Sequence, residues 1–296
     1  MPLRAYPKVA VCGLGRLGAQ LAYWFDALSV PVVALSSRDL AKATVLASAL
    51  NHPPRVYASM ADAVRSADVT FLALPDDILP RAVEELSVHD LAGRTIVHCF
   101  GALPASALGR LSARGAKVAV FHPLQSFGPL DVEGSNVFAG VTVSIDADDE
   151  TYAVLVSLAE ALLACPQLLR LNDRVRAQYH ASAVLASNAL LVLLDAAIRL
   201  LEEAGLTPEE AKRALLPLVR GTIANLDNMS PGQALTGPVS RGDSSTVRKH
   251  LEALSNMPEL GIYRDMLGYT IELAFTAGRI DDAKVAELRK LLEDRL

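Results

Sequence analysis

In the first half of the chain, short apolar runs rich in valine alternate with longer stretches whose apolar positions recur at helical spacing. This alternation predicts β-strands joined by crossover helices. The strands fall near Lys8–Cys12, Val32–Ser36, Arg55–Tyr57, Val69–Leu74, Thr95–Cys99, Lys117–Phe121 and Val141–Ile145, with helices starting near Arg16, Asp39, Ser59, Asp77 and Pro104. Most runs are continuously apolar, which predicts a mostly parallel sheet covered on both faces. An acidic helix start follows at Asp146-Ala147-Asp148-Asp149-Glu150, then a short strand at Leu168–Leu171.

From Asn172 onward every segment has helical periodicity. Asn172 or Asp173 is placed to cap a helix that runs to about Gly205, a residue suited to the left-handed position after a helix. In Thr207-Pro208-Glu209-Glu210 the threonine caps, the proline fits the first turn and Glu210 completes a capping box. A Gly-, Ser- and Pro-rich loop, Ser230–Ser245, leads to two or three closing helices. No internal repeat is visible. The pattern predicts an α/β domain over residues 1–171 and an all-α domain over residues 172–296.

Composition narrows the partners. The formal charge of −5, with both signs interspersed, offers no cationic stripe for nucleic acid. Cys12, Cys99 and Cys165 share no short spacing, so neither a metal knuckle nor a disulfide framework is expected, and a reducing cytoplasm fits. Met1-Pro2-Leu3-Arg4 runs directly into the first strand, which leaves no room for a leader segment. The oiliest stretch, Ala181–Leu194, is broken by Ser182, Ser187 and Asn188. It is shorter than the ~20 residues of a membrane span, so the expectation is a buried helix and no membrane partner.

Gly13-Leu14-Gly15-Arg16-Leu17-Gly18 follows a predicted strand and opens a predicted helix. In that context one glycine allows the tight turn, one lets a pyrophosphate reach the backbone, and one lets helix and strand pack closely. A Rossmann-type dinucleotide-binding domain is the reading, with Leu74 and Pro75 completing the cofactor contacts. About 20 residues on, where an NAD-preferring site places an acid, stand Ser36-Ser37-Arg38. Hydroxyls and a guanidinium suit a 2′-phosphate, so NADP is favoured and NAD stays possible. The same serines could instead cap the next helix and leave Arg38 in water.

No tyrosine is followed four residues later by lysine, which argues against short-chain reductase chemistry, and no metal-binding pattern appears. The proton partner of a hydride transfer then falls to histidine. Of six histidines, His52, His89 and His250 lie in polar or charged surroundings. His98 and His122 end predicted strands, the edge where open parallel sheets bind ligands, though a histidine there can also simply hold a loop. His180 shares an apolar helix with Ser187 and Asn188, and these polar groups need partners in a substrate or a neighbouring helix. Arg241, in the loop Thr236-Gly237-Pro238-Val239-Ser240-Arg241-Gly242-Asp243, could clamp a carboxylate or lie in solvent beside a helix cap.

These segments, with His98-Cys99-Phe100-Gly101-Ala102-Leu103-Pro104, His122-Pro123-Leu124-Gln125-Ser126-Phe127 and Tyr179-His180-Ala181, resemble over nearly the whole chain the Rossmann-like candidate NADP oxidoreductases that carry a C-terminal domain of unknown function. More distantly the chain is similar to prephenate dehydrogenases, ketopantoate reductases, pyrroline-5-carboxylate reductases and deazaflavin-dependent NADP oxidoreductases. The resemblance of His122-Pro123-Leu124 to the His-Pro-Met stretch of prephenate dehydrogenases implies a catalytic role for His122. There is no lysine between Lys117 and Lys212, so the lysine chemistry of hydroxyacid dehydrogenases is in doubt, and His180 takes the nearest comparable place. Phe100 stands where a small or hydroxyl residue is usual, which would reshape the pocket.

Together these features predict an NADP-dependent dehydrogenase or reductase with a 6-phosphogluconate dehydrogenase-like C-terminal domain, acting on a small carboxylate-bearing substrate. His122, His180 and Asn188 are the candidate catalytic residues, and Arg241, Ser187 and His98 the candidate substrate ligands. Alternatives are a cyclic-imine reductase and a non-catalytic dinucleotide sensor or scaffold. The apolar helix Ala181–Ile198 suggests a homodimer.

Overall fold

The computed structural model describes residues 6–169 and 171–293, so the Met1-Pro2-Leu3-Arg4 start lies outside the described residues. By internal contacts the chain divides into two units, Met1–Leu185 and Ala186–Leu296. The first is built on an eight-stranded sheet of β1 (Val9–Cys12), β2 (Val32–Ser36), β3 (Arg55–Tyr57), β4 (Val69–Leu72), β5 (Thr95–His98), β6 (Lys117–Pro123), β7 (Thr142–Asp146) and β8 (Cys165–Leu168). The order is β3-β2-β1-β4-β5-β6-β7-β8, with only the β6–β7 pairing antiparallel. Strand order reverses between β1 and β4, the crevice where doubly wound sheets take their ligands.

Helices α1 (Arg16–Ala27), α2 (Leu40–Ala49), α3 (Met60–Ser66), α4 (Leu79–Leu86), α5 (Gly109–Ser112) and α6 (Asp149–Ala161) connect the strands. Alternate residues of β1 bury into two different cores: Val9 and Val11 join one cluster, Ala10 and Cys12 the other. Both faces of the sheet are therefore covered, as its continuous apolar runs predict. The last strand begins three residues before its predicted start and contains Pro166, which an edge position tolerates because one side needs no ladder donor.

Register aligns the strand ends. Ser36 pairs with Cys12, Cys12 with Leu72, Leu72 with His98, and His98 with Val120. At about 4.8 Å per strand, the end of β1 lies roughly 10 Å from the end of β5 and roughly 14 Å from β6.

Helix α7 (Asp173–Ala186) closes the first unit, its first turn capped by the Asn172 side chain, which accepts the Val175 amide at 3.0 Å. The sequence predicts one helix to about Gly205, but the chain breaks at Ser187, with φ −118° and ψ −67°, and resumes as α8 (Asn188–Glu203). Serine competes with the helical ladder through its own hydroxyl, which makes such a break cheap. The second unit continues with α9 (Pro208–Asn225), α10 (Pro231–Ala234), α11 (Ser244–Ala253), α12 (Glu259–Thr276) and α13 (Asp282–Glu293). Thr207 and Glu210 form the predicted capping box, and Gly205 takes φ +94°. Its own core gathers Val247 and Leu251 of α11, Leu267 and Ile271 of α12, and Leu288 and Leu291 of α13.

The expectation of a buried apolar helix fails within the single chain. None of α8 is buried, and Leu191 and Val192 are 63% and 57% exposed. By length and composition alone the run Arg174–Glu203 would suffice to cross a membrane. The break at Ser187 divides it into helices of 14 and 16 residues, each short of the ~20 that a span needs.

Candidate active site

The glycine turn between β1 and α1 is shaped by missing side chains. Gly13 has φ +91°, and a Cβ there would lie 2.4 Å from the Ala73 carbonyl oxygen. A Cβ on Gly18 would lie 1.8 Å from the Gly13 carbonyl oxygen, so α1 packs onto the turn at backbone contact. At Gly15 nothing lies within 4 Å of that position, and the residue starts α1 with no side-chain cap. The first amides of α1 therefore open onto free space, which fits a pyrophosphate on the N-terminus of the helix.

A cavity of about 850 Å³ opens there. Its walls include Gly13, Leu14, Gly15, Ser36, Ser37, Arg38, Leu74 and Pro75 of the sequence prediction. Arg16, Leu17 and Gly18 do not line it; they form the turn of helix behind it. The Ser37 hydroxyl accepts the Asp39 amide at 3.1 Å, while Asp39 itself caps α2 by accepting the Lys42 amide at 2.9 Å. With the cap supplied by Asp39, Arg38 stays exposed at the cavity. Lys42 and Arg81 line the same cavity and were not foreseen. Lys42 follows Arg38 by one helical turn, a spacing visible in the sequence, whereas Arg81 is carried in by α4 and has no local signal.

Further along the strand ends the three predicted histidines of the first unit meet. His98 is wholly buried. Its Nδ1 accepts the Phe100 amide at 3.2 Å, so Nε2 carries the proton and donates to the Pro104 carbonyl at 3.0 Å. Burial lowers its pKa to about 4, against the raising effect of the Pro104 bond. Both ring nitrogens are thus engaged by backbone. Phe100 packs into the core and against the His98 ring, centroids 5.3 Å apart, rather than into the cavity.

His122 is the last residue but one of β6, opposite Ser144 of β7. Its Nδ1 is 3.0 Å from the Tyr179 hydroxyl, and the two rings meet edge to face at 5.6 Å. Its pKa is also lowered to about 4, first by burial and then by His180, His98 and Arg176. The His180 ring lies 6.1 Å from that of His122. Both approach Gly101, where a Cβ would lie 2.6 Å from His180 Nδ1 and 2.8 Å from His122 Nε2. A side chain at residue 101 would have to displace one of the two rings, and the buried His180 Nδ1 has no partner among the described residues.

Beneath them the fully buried Arg176 pairs with Asp146, which also accepts the Ala105 amide at 3.5 Å. Arg176, Tyr179 and His180 stand on one face of α7, at i, i+3 and i+4. Neither Tyr179 nor Arg176 was foreseen as a site residue. The spacing to His180 was the available signal, but their partners come from β6 and β7.

The remaining candidates belong to the second unit. Ser187 precedes α8, and Asn188 is its exposed first residue. Arg241 is exposed on a short turn before Gly242, φ +65°, and near Asp243, which caps α11 by accepting the Thr246 amide at 3.1 Å.

Residues 8–101 match the family described as NADP oxidoreductase, coenzyme F420-dependent, and residues 141–270 match a domain of unknown function. No curated protein matches it. Among solved structures, a candidate NADP oxidoreductase from Bacteroides fragilis is similar at TM-score 0.72 and 22% identity, covering 90% of this chain and 98% of that one. A reductive aminase from Aspergillus terreus, in complex with NADPH and ethyl-5-oxohexanoate, matches at TM-score 0.59 and 17% identity over 97% and 93%. A pyrroline-5-carboxylate reductase from Coxiella burnetii matches at 0.57 and 15% over 96% and 98%. At these identities the likeness is one of fold. The matched segment 8–101 holds the glycine turn, and Ser36, Ser37 and Arg38 as the 2′-phosphate candidates.

Proposed function

We propose that the protein transfers hydride between NADP and a small carboxylate-bearing substrate of the 2-oxo acid and hydroxy acid type. The observation that carries this reading is the convergence of His122 and His180 on Gly101, along the same sheet edge as the glycine turn. The strand spacing puts the ends of β5 and β6, which carry the chain to Gly101 and His122, roughly 10 and 14 Å from the end of β1. Bound NADP would supply or accept the hydride.

His122 handles the proton of the reacting oxygen and His180 orients it, while Asn188, Ser187 and Arg241 are the substrate candidates of the second unit, Arg241 for a carboxylate. His98 supports the loop that carries Gly101. Residues 1–171 act as the nucleotide domain and residues 172–296 as the substrate and subunit domain. Reduction of a cyclic imine is the second reading, favoured by the likeness of fold to a pyrroline-5-carboxylate reductase. The exposed apolar side chains of α8 support a homodimer, which sedimentation of the wild type and of Leu191→Glu would test.

The deciding experiment is an NADPH fluorescence titration followed by a screen of 2-oxo acids and cyclic imines for NADPH oxidation. Binding with turnover of an oxo acid supports the leading reading; turnover of imines alone selects the second. Absence of binding removes both.

A further inference from the structure

We propose that Tyr179 is a positioning residue that sets the tautomer of His122, so that the ring meets its ligand with the hydrogen on Nε2. The inference rests on the reading that His122 faces the substrate, and it adds which kind of atom that substrate presents. A neutral imidazole has one donor and one acceptor nitrogen, and whichever bond the far nitrogen makes decides which of them faces the ligand.

The Tyr179 hydroxyl lies 3.0 Å from Nδ1. The Ser144 hydroxyl beside it donates to the His122 carbonyl at 3.5 Å, which leaves Nδ1 as the acceptor the phenol has within hydrogen-bond distance. Donation from Nδ1 would leave the tyrosine hydrogen without that acceptor, so the tyrosine hydrogen goes to Nδ1. Burial raises the Tyr179 pKa, so the phenol keeps that hydrogen at neutral pH.

With Nδ1 accepting, the proton resides on Nε2, the nitrogen that reaches the Gly101 side of the ring, 2.8 Å from the position of the missing Cβ. An N–H there donates. The ligand class it fits is an acceptor, a carbonyl oxygen or an imine nitrogen, which makes the uptake of hydride by the substrate the direction this site is prepared for. The same neutral N–H would stabilise negative charge growing on that atom without needing an imidazolium.

The test is spectroscopic and needs no substrate. Full-length protein labelled with ¹⁵N-histidine is examined by long-range ¹H–¹⁵N correlation at neutral pH, the His122 signals being those lost in His122→Asn. The expected wild-type pattern is a single tautomer, with Nε2 in the N–H range and Nδ1 in the bare-nitrogen range. In Tyr179→Phe, which keeps the ring contact, the two nitrogen shifts move toward each other as the tautomers mix, while signals of the other five histidines stay in place. A wild-type Nδ1–H pattern overturns the proposal even if the variant fails to fold. So does an unchanged pattern in a folded variant. NADPH titration of the same wild-type sample keeps the outcomes apart, since loss of binding would sink the functional reading and leave the tautomer result standing.

Discussion

The glycine turn and the histidine cluster occupy the same edge of one sheet and work by opposite means. At Gly13, Gly15 and Gly18 the arrangement rests on absent side chains: backbone packs to contact at Gly13 and Gly18, and the space at Gly15 is open. At His98 and His122 it rests on side chains that need partners, which Pro104, Phe100 and Tyr179 supply from other elements, while the buried His180 Nδ1 has none among the described residues. A steric site tolerates no addition, whereas a site built from hydrogen bonds tolerates no loss. The difference predicts how each fails.

The largest effect falls on turnover. His122→Ala is expected to lower kcat by about 10²–10⁴-fold, roughly 3–5 kcal/mol, with NADPH affinity nearly unchanged. Steady-state kinetics with a fluorescence-derived Kd checks it; equal loss in both would join the two regions into one.

Acid comes next. His98 and His122 have folded pKa values of about 4 against an ordinary 6.5, so the folded protein binds fewer protons than the unfolded chain between these values. Stability present above pH 6.5 is therefore lost as pH falls toward 4. For the wholly buried His98 the loss sums to about 3 kcal/mol. Urea denaturation across this range should show it, and a flat profile would mean that the two rings are not buried neutral. The glycine turn contributes nothing to that slope.

Gly13→Ala should cost about 2–3 kcal/mol of stability, because a Cβ at φ +91° would collide with the Ala73 carbonyl. Differential scanning calorimetry reads it, and an unshifted Tm would show that the turn is free to relax. The smallest effect is on nucleotide choice. Arg38→Ala should weaken NADPH by about 10- to 50-fold, roughly 1.5–2.5 kcal/mol, and leave NADH unchanged. Lys42→Ala and Arg81→Ala should show smaller losses of the same sign. Equal weakening of both nucleotides would remove the phosphate clamp.

The long apolar helix shows where a local pattern misleads. Its composition predicts burial, yet α8 lies exposed in the single chain, because composition records that a surface needs covering and not which chain covers it. The sequence pattern makes Ser187 a polar member of one helix, whereas in the structure it stands at the break between α7 and α8. A serine in a helical pattern is compatible with either outcome, and neighbouring packing decides.

The sequence by itself determined what depends on residues within a turn or a strand of each other. Ser36 ends β2, Thr207 and Glu210 close a capping box, and Gly13, Gly15 and Gly18 make a tight strand-to-helix turn that is open at Gly15. Strand register and the antiparallel turn into β7 were needed to set His122 opposite Ser144, under Tyr179, and beside His180. Only the tertiary structure decided that Arg81 reaches the cavity of Arg38, and that Asp146 finds Arg176. The reason is one of range: caps and turns are satisfied by neighbours along the chain, while a buried polar group must take its partner from whichever strand the sheet brings alongside.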